Sequence, residues 1–240
     1  MSTTILKALT AAGLGARRAM AQAVKDGRVL LNGQLVTSFS QEVDSRDTIL
    51  FDGQPIKKPL EKPIYILLNK PAGVLSTTID ARGRQTIIDL VPPPFRVPGL
   101  HPVGRLDLAS RGLILLTNNG ELTYHLTHPR FEKEKEYLVA LDRVLTPIDK
   151  TKFESGLELE DGLTSQTKVA DVSLRPPIYR ITLHEGRKRQ IRRMFQSLGY
   201  TVRDLKRTRM GSLRIGTMKE RDVRELTDSE IMELGRINSL

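Results

Sequence analysis

The sequence predicts an α+β protein in two parts: a small helix–helix–hairpin unit, then a larger α+β domain. The larger domain should hold a mixed, mainly antiparallel sheet with a cleft across its middle. Three observations carry this. Apolar residues recur at helical spacing through residues 5–24 and again through 191–198, while other segments read as short strand runs closed by Gly, Pro or Asn. A Pro/Lys-rich stretch, Pro55, Lys57, Lys58, Pro59, Glu61, Lys62 and Pro63, reads as a linker. The length of 240 residues suits one large domain or a small one plus a medium one.

The elements follow in order. Ile5, Leu6, Leu9 and Ala12 fit one helical face, stopped by Gly13 and Gly15; Ala19, Met20, Ala23 and Val24 fit a second, with Gly27 as its C-terminal cap. Val29-Leu30-Leu31 and Leu35-Val36 flank Asn32-Gly33-Gln34, and Asn-Gly is the strongest short hairpin signal. Thr48 to Phe51 reads as a strand closed by Asp52-Gly53. After the linker come strands at Ile64 to Leu68, Gly112 to Thr117, Tyr137 to Leu141, Lys168 to Val172 and Ile178 to Leu183. A loop-rich stretch, Val91 to Gly99, is expected inside the larger domain, and Asn118-Asn119-Gly120 reads as a turn. A helix is expected from Gly186, with Ile191, Met194, Phe195 and Leu198 as its apolar stripe and Gly199 as its end.

Composition narrows the function classes. Lys and Arg number 38 against 28 Asp and Glu, a net charge of +10. That excess favours a polyanionic partner, nucleic acid first and an anionic membrane surface second. No apolar run approaches the roughly 18 residues of a spanning helix, and the N-terminus lacks a signal-peptide pattern. The composition suits the cytoplasm. With no cysteine, disulfides and thiolate metal sites are excluded. Aromatics are 5% and tryptophan is absent, which points to recognition by shape, phosphates and a few specific contacts. No Walker-type loop occurs, so nucleotide-driven chemistry is not expected.

Candidate residues fall in three places. Arg17, Arg18, Lys25 and Arg28 crowd the small unit, an arrangement suited to RNA phosphates and minor-groove hydroxyls. A solvated basic face is the ordinary alternative. Arg187, Lys188, Arg189, Arg192 and Arg193 form a second cluster; on a helix Arg189, Arg192, Arg193 and Gln196 would share one face, and that face needs counter-charges. Third, Gly104-Arg105-Leu106-Asp107 sets a carboxylate on a loop two residues after an arginine, just before a buried strand. Opposite charge keeps an Asp ionised, and a positioned carboxylate on a loop is a reagent. Taken alone, this segment is better read as an ordinary structural ion pair, because such pairs also perturb carboxylates; the rest of the chain reverses that. His101, His125, His128 and His184 show no metal-ligand spacing.

Together these residues resemble the ribosomal RNA pseudouridine synthases of the RsuA/RluB type, over essentially the whole chain. Arg17-Arg18 and Gly27-Arg28-Val29 with Asn32-Gly33 are similar to the alpha-L RNA-binding domain of a ribosomal small-subunit protein, implying such a domain at 1–60 with Arg17, Arg18, Lys25, Arg28 and Asn32 as RNA contacts; Ala16 stands where that pattern often has Ser. Asn69-Lys70-Pro71-Ala72-Gly73 resembles the family's Asn-Lys-Pro-x-Gly motif, and Gly104 to Asp107 its catalytic signature, with Ser110 for a common Thr. Lys135-Glu136-Tyr137 resembles the motif whose tyrosine lies against the target base, and Gly186 to Phe195 the motif that supplies an arginine, here Arg192, to the aspartate. Glu220-Arg221-Asp222 replaces a usual glycine-containing turn.

The resemblance implies a catalytic domain at 63–240 with Asp107, Tyr137 and Arg192 as catalytic residues. It implies further RNA contacts at Lys70, Arg105, Arg187, Arg189 and Arg193. Converting uridine to pseudouridine is an isomerisation without redox change, so neither cofactor nor metal is expected. The partner implied is ribosomal RNA or a partly assembled ribosomal subunit, met by a monomer. The pattern sits nearest the RluB branch, which implies large-subunit (23S) RNA; small-subunit (16S) RNA is the alternative. A non-catalytic ribosome-assembly factor would share the basic features but has no need of Asp107, Tyr137 and Arg192 together. A glycoside hydrolase usually needs two carboxylates flanking the bond, and this segment offers one.

Overall fold

The computed structural model describes residues 3–15, 17–44, 46–56 and 63–237, with side chains described as far as residue 234. The chain divides into two compact units, residues 1–63 with 96–100, and 64–95 with 101–240. Residues 96–100 thus pack with the smaller unit, whereas the whole Val91–Gly99 loop was expected in the larger one. Ala16 and the core of the Pro/Lys-rich stretch, 57–62, lie outside the described residues.

The smaller unit runs β1 (Thr3–Thr4), α1 (Ile5–Ala11), α2 (Arg17–Lys25), β2 (Val29–Leu31), β3 (Gln34–Leu35), β4 (Glu42–Val43), β5 (Ile49–Phe51) and β6 (Gln54–Pro55). The Thr4 side chain caps α1 by accepting from the Lys7 amide. Gly27, at φ +72, closes α2: its amide donates to Val24 and that of Arg28 to Ala23. Asn32 and Gly33, both at positive φ, form the hairpin turn between β2 and β3; Asp52 and Gly53 repeat the device between β5 and β6. Ile5, Leu9, Met20, Val24, Val29 and Ile49 make the core, so the helical spacing read from the sequence marks the buried face.

In the larger unit the chain forms β7 (Tyr65–Lys70), α3 (Ile87–Leu90), β8 (His101–Pro102), β9 (Arg111–Thr117), α4 (Gly120–Thr127), β10 (Lys135–Leu141), α5 (Pro147–Ser155), β11 (Glu158–Leu159), β12 (Gly162–Leu163), β13 (Lys168–Leu174) and β14 (Pro177–Leu183). It ends with α6 (Gln190–Ser197), β15 (Val202–Met210), β16 (Leu213–Arg214), β17 (Val223–Glu225) and α7 (Asp228–Ile237). Among the described residues the main sheet has the order β13-β14-β10-β15-β9-β7-β17, with β16 beside β15 and β8 beside β9. Every pairing in it is antiparallel except β15 with β9. The mixed, mainly antiparallel sheet is therefore as expected. One core packs β10, β14 and β15 against α5 and α6, where the Phe153 and Phe195 rings stack at 4.4 Å. Another packs Leu67, Leu113 and Leu115 under Leu122 and Leu126 of α4.

Several elements differ from the sequence reading. β15 lies at the centre of the sheet, yet Val-Arg-Asp-Leu-Lys-Arg-Thr-Arg-Met carries no apolar run. Asn119-Gly120 is not a bare turn: the Asn119 side chain caps α4 by accepting from the amides of Glu121 and Leu122. Helix α6 begins at Gln190 rather than Gly186, because Arg189 takes a left-handed conformation at φ +51.

Candidate active site

Asp107 sits on the loop between β8 and β9, and that loop is tied from several sides. Gly104, at φ +73, turns the chain. The Ser76 hydroxyl donates to the Leu106 carbonyl at 2.8 Å and accepts from the Leu106 amide at 3.1 Å. The Gly73 amide donates to Leu108. The loop leaves through Arg111, which forms a bidentate pair with Asp204 of β15 at 2.9 and 2.6 Å. The Asp107 carboxylate itself, half-buried, has no hydrogen-bond or ion-pair partner among the described residues. It is a fixed, unsatisfied acceptor.

Cations stand round it. Lys70, at the end of β7, is fully buried, and its ammonium donates to the carbonyls of Pro71 at 2.9 Å and Ser110 at 2.8 Å. Burial pushes its pKa down to about 8, and the nearby Asp107 charge opposes that fall. Arg192, on α6, donates to the Val202 carbonyl at 3.0 Å and to that of Ala109, in the Asp107 loop, at 3.4 Å. Burial lowers its pKa first and Arg189 second, while Asp107 and Asp204 act the other way. The direct Arg192–Asp107 ion pair implied by the resemblance is not formed among the described residues; Arg192 grips the backbone of the loop and faces the carboxylate through space.

Sheet register brings the next groups into line. Tyr137 of β10 pairs with Arg207 of β15, Arg207 with Gly112 of β9, and Gly112 with Lys70 of β7. This row crosses the one parallel junction of the main sheet among the described residues, immediately after the Asp107 loop. Gly112 is required there: at φ +107, a Cβ on it would lie 2.3 Å from the Arg207 carbonyl oxygen. Tyr137 is partly buried against the core that includes Ile191. Arg207 is 2% exposed; its Nε donates to the Leu113 carbonyl at 2.8 Å and its Nη2 has no partner among the described residues. The Ser110 hydroxyl and the Arg192 Nε are likewise buried without partners. Arg207 was missed in the sequence. Its signal was a strand of alternating charge next to a glycine-bearing neighbour, and neither half is recognisable without the register.

The remaining expected RNA contacts divide sharply. Arg105 and Arg189 are exposed. Lys70 is corrected: an ammonium closed inside the fold on two carbonyls cannot meet a phosphate. Arg187 donates to the carbonyls of Asp161, Gly162 and Leu163 and pairs with Glu185. Arg193 forms a bidentate pair with Asp161 at 2.8 and 2.9 Å. These two arginines clamp the β11–β12 hairpin onto α6, and their counter-charges are protein carboxylates. In the smaller unit Arg17, Arg18 and Lys25 are exposed on α2. Arg28 is paired with Asp52 at 2.7 Å and covers the Phe51 ring, and the Asn32 amide is spent on Asp47 and the Thr48 amide. At the C-terminal turn Arg221 adopts φ +75, the conformation a glycine would supply, and its amide donates to Asn69. No group of three or more His, Asp or Glu is placed to hold a metal among the described residues, and none of their helices is long and apolar enough to cross a membrane.

Comparison with known proteins follows the same division. Residues 64–197 match the family described as RNA pseudouridylate synthase, and residues 4–49 match the S4 domain. Ribosomal large subunit pseudouridine synthase B of Bacillus subtilis (strain 168) is 37% identical, over 95% of this chain and 93% of its own. The dual-specificity RNA pseudouridine synthase RluF of Escherichia coli (strain K12) is 35% identical, over 98% of this chain and 79% of its own. Among solved structures, a pseudouridylate synthase crystal structure aligns with a TM-score of 0.70 and 30% identity, covering 96% of this chain and 99% of the other.

Proposed function

The chain belongs to the RNA pseudouridylate synthase family, and from that premise we propose that it converts a specific uridine of large-subunit (23S) ribosomal RNA to pseudouridine, with Asp107 as the catalytic carboxylate. The observation that carries the assignment of Asp107 is its partnerless, half-buried carboxylate on a loop held by Ser76, Gly73, Lys70 and Arg192. Positioning of this kind lowers the cost of bringing reactant and carboxylate together. The S4 domain at 1–60 brings RNA to the catalytic domain at 63–240, with Arg17, Arg18 and Lys25 as phosphate contacts and Arg105 and Arg189 at the catalytic domain. The protein acts as a monomer in the cytoplasm, on ribosomal RNA or a partly assembled subunit.

The reaction balances without a co-reactant. The C1′–N1 bond of the uridine breaks, the base turns, C1′ bonds to C5, and the C5 proton is lost as N1 gains one. Asp107 starts this either by attacking C1′ or by taking the C2′ proton. Arg192 and Lys70 hold the loop that carries it, through the carbonyls of Ala109 and Ser110. Tyr137 packs on the uracil and helps remove the C5 proton. The target base must leave its stack, at a cost of a few kcal/mol, which phosphate contacts and stacking offset.

Carbodiimide–primer-extension mapping of both ribosomal RNAs tests this. The wild-type protein should give one new stop on the 23S transcript, and Asp107→Asn should remove it, with kcat down by several orders of magnitude and RNA affinity nearly unchanged. A stop on the 16S transcript alone would move the target to the small subunit. An active Asp107→Asn protein would end the assignment of the carboxylate.

A further inference from the structure

A surface beside the Asp107 loop has no part in the chemistry above. Helix α4 presents Tyr124 and, one turn on, His128; the short turn Pro129–Phe131 adds Arg130 and Phe131. The Tyr124 ring lies 4.8 Å from His128 and meets Phe131 edge-on at 5.6 Å, while His125 packs on Phe131 at 4.6 Å. The Arg130 guanidinium covers both Tyr124, at 4.9 Å, and Phe131, at 4.4 Å. This is not core: α4 buries Leu122 and Leu126, whereas Tyr124 is 42% exposed and His128 and Arg130 are exposed. A chain with no Trp, only five Tyr and six Phe places one Tyr, one Phe and two of its four His within residues 124–131.

Two further facts point outward. Arg130 stacks its face on the rings, but its side-chain N–H groups have no hydrogen bond or ion pair among the described residues. And Thr127 of the same helix lies against Gly104, where an added Cβ would be 3.4 Å from its Cγ2, so the cluster adjoins the turn that leads to Asp107. Unpaired nucleobases stack on aromatic rings and on guanidinium planes, and a free arginine edge fits a phosphate.

We propose that Tyr124, His128 and Arg130 form a stacking platform for an unpaired nucleobase flanking the uridine that enters the Asp107 site. The proposal rests on the RNA-substrate reading and adds how the strand next to the target is held once its own stacking is lost. A net charge of +10 brings the strand in; the platform replaces the neighbour-base stacking that extrusion removes.

The absence of tryptophan supplies the test. In full-length Tyr124→Trp the indole emission reports one place. The probes are a short single-stranded oligoribonucleotide of mixed sequence and the same ribose-phosphate strand with abasic positions. The expected result is quenching by the base-bearing strand and none by the abasic one. Tyr124→Ala should weaken affinity for the base-bearing strand by roughly fivefold or more, the scale of a lost base stack, while Tyr124→Phe retains it. Retention of the strand on a filter with unchanged Tyr124→Trp emission, equal quenching by the abasic strand, or wild-type affinity in Tyr124→Ala would each overturn the platform, as would failure of the strand to bind at all. Quenching without conversion of any ribosomal uridine would leave the platform standing and remove the target reading. Asp107-dependent conversion with silent Tyr124→Trp emission would do the reverse.

Discussion

At the residue scale, an unsatisfied carboxylate is bounded by a lysine that is satisfied and buried. Lys70 ties Pro71 to Ser110, so it fixes the exit of the Asp107 loop to the end of β7 while its charge faces the carboxylate. Its pKa is depressed from 10.5 to about 8. Between those values the unfolded chain binds more protons than the folded protein, so Lys70 makes stability rise with pH across that window. The cost of burying the ammonium is fully present below about pH 8 and gone above 10.5. Lys70→Met lacks this dependence. In urea unfolding, wild type should therefore gain on Lys70→Met as pH rises from 7 to 10, by on the order of 2–3 kcal/mol. A gap that narrows over the same range would refute the buried, charged lysine. Asn-Lys-Pro was legible as a motif, but its reading as an RNA contact was wrong, because only the packing of β7 under the loop reveals where the ammonium ends.

At the element scale, the parallel pairing of β9 with β15 sets the site in register. It rests on Gly112, whose missing Cβ lets the Arg207 backbone approach. Gly112→Ala combines a strained φ with a backbone clash, and each costs about 1–3 kcal/mol. We expect urea unfolding to show a drop in stability of at least about 2 kcal/mol, with activity falling too, since Tyr137, Arg207 and Lys70 would no longer share a common row beside the Asp107 loop. Near-normal stability would mean that the strands separate without cost. Strands β7, β9, β10, β13 and β14 were legible because apolar or β-branched residues fill them. β15 was not, because its alternating residues are arginines, a lysine and an aspartate that find partners only in the sheet: Asp204 with Arg111, Arg209 with Glu134. The same effect misled the reading of α6. Arg187 and Arg193 read in sequence as RNA contacts, but the carboxylates of Asp161, 26 and 32 residues away, and of Glu185 pair with them. An arginine cluster announces that counter-charges exist; sequence does not say whether protein or RNA supplies them.

At the scale of the whole molecule, the net charge of +10 is divided between cations committed to the fold and cations left for a partner. Within the smaller unit this division is clear. Arg28 belongs to the hairpin through Asp52, whereas Arg17 and Arg18 stand exposed at the start of α2. Each RNA phosphate that the protein no longer neutralises should flatten the salt dependence of binding, by roughly 0.7 in log K per log salt for single strands and 0.9 for duplex-like charge density. Arg17→Gln with Arg18→Gln should therefore reduce the slope by up to about 1.4–1.8, weaken binding at low salt far more than at high salt, and leave the melting temperature close to wild type. Arg28→Gln should do the opposite: a lower melting temperature from loss of the Asp52 pair, with the salt slope nearly unchanged. Filter binding of a ribosomal RNA fragment across a salt series, beside thermal melts of the same proteins, separates the two. If Arg28→Gln flattens the slope as much as the Arg17 and Arg18 pair does, the Asp52 pairing opens when RNA binds, and the hairpin as well as α2 contributes to docking.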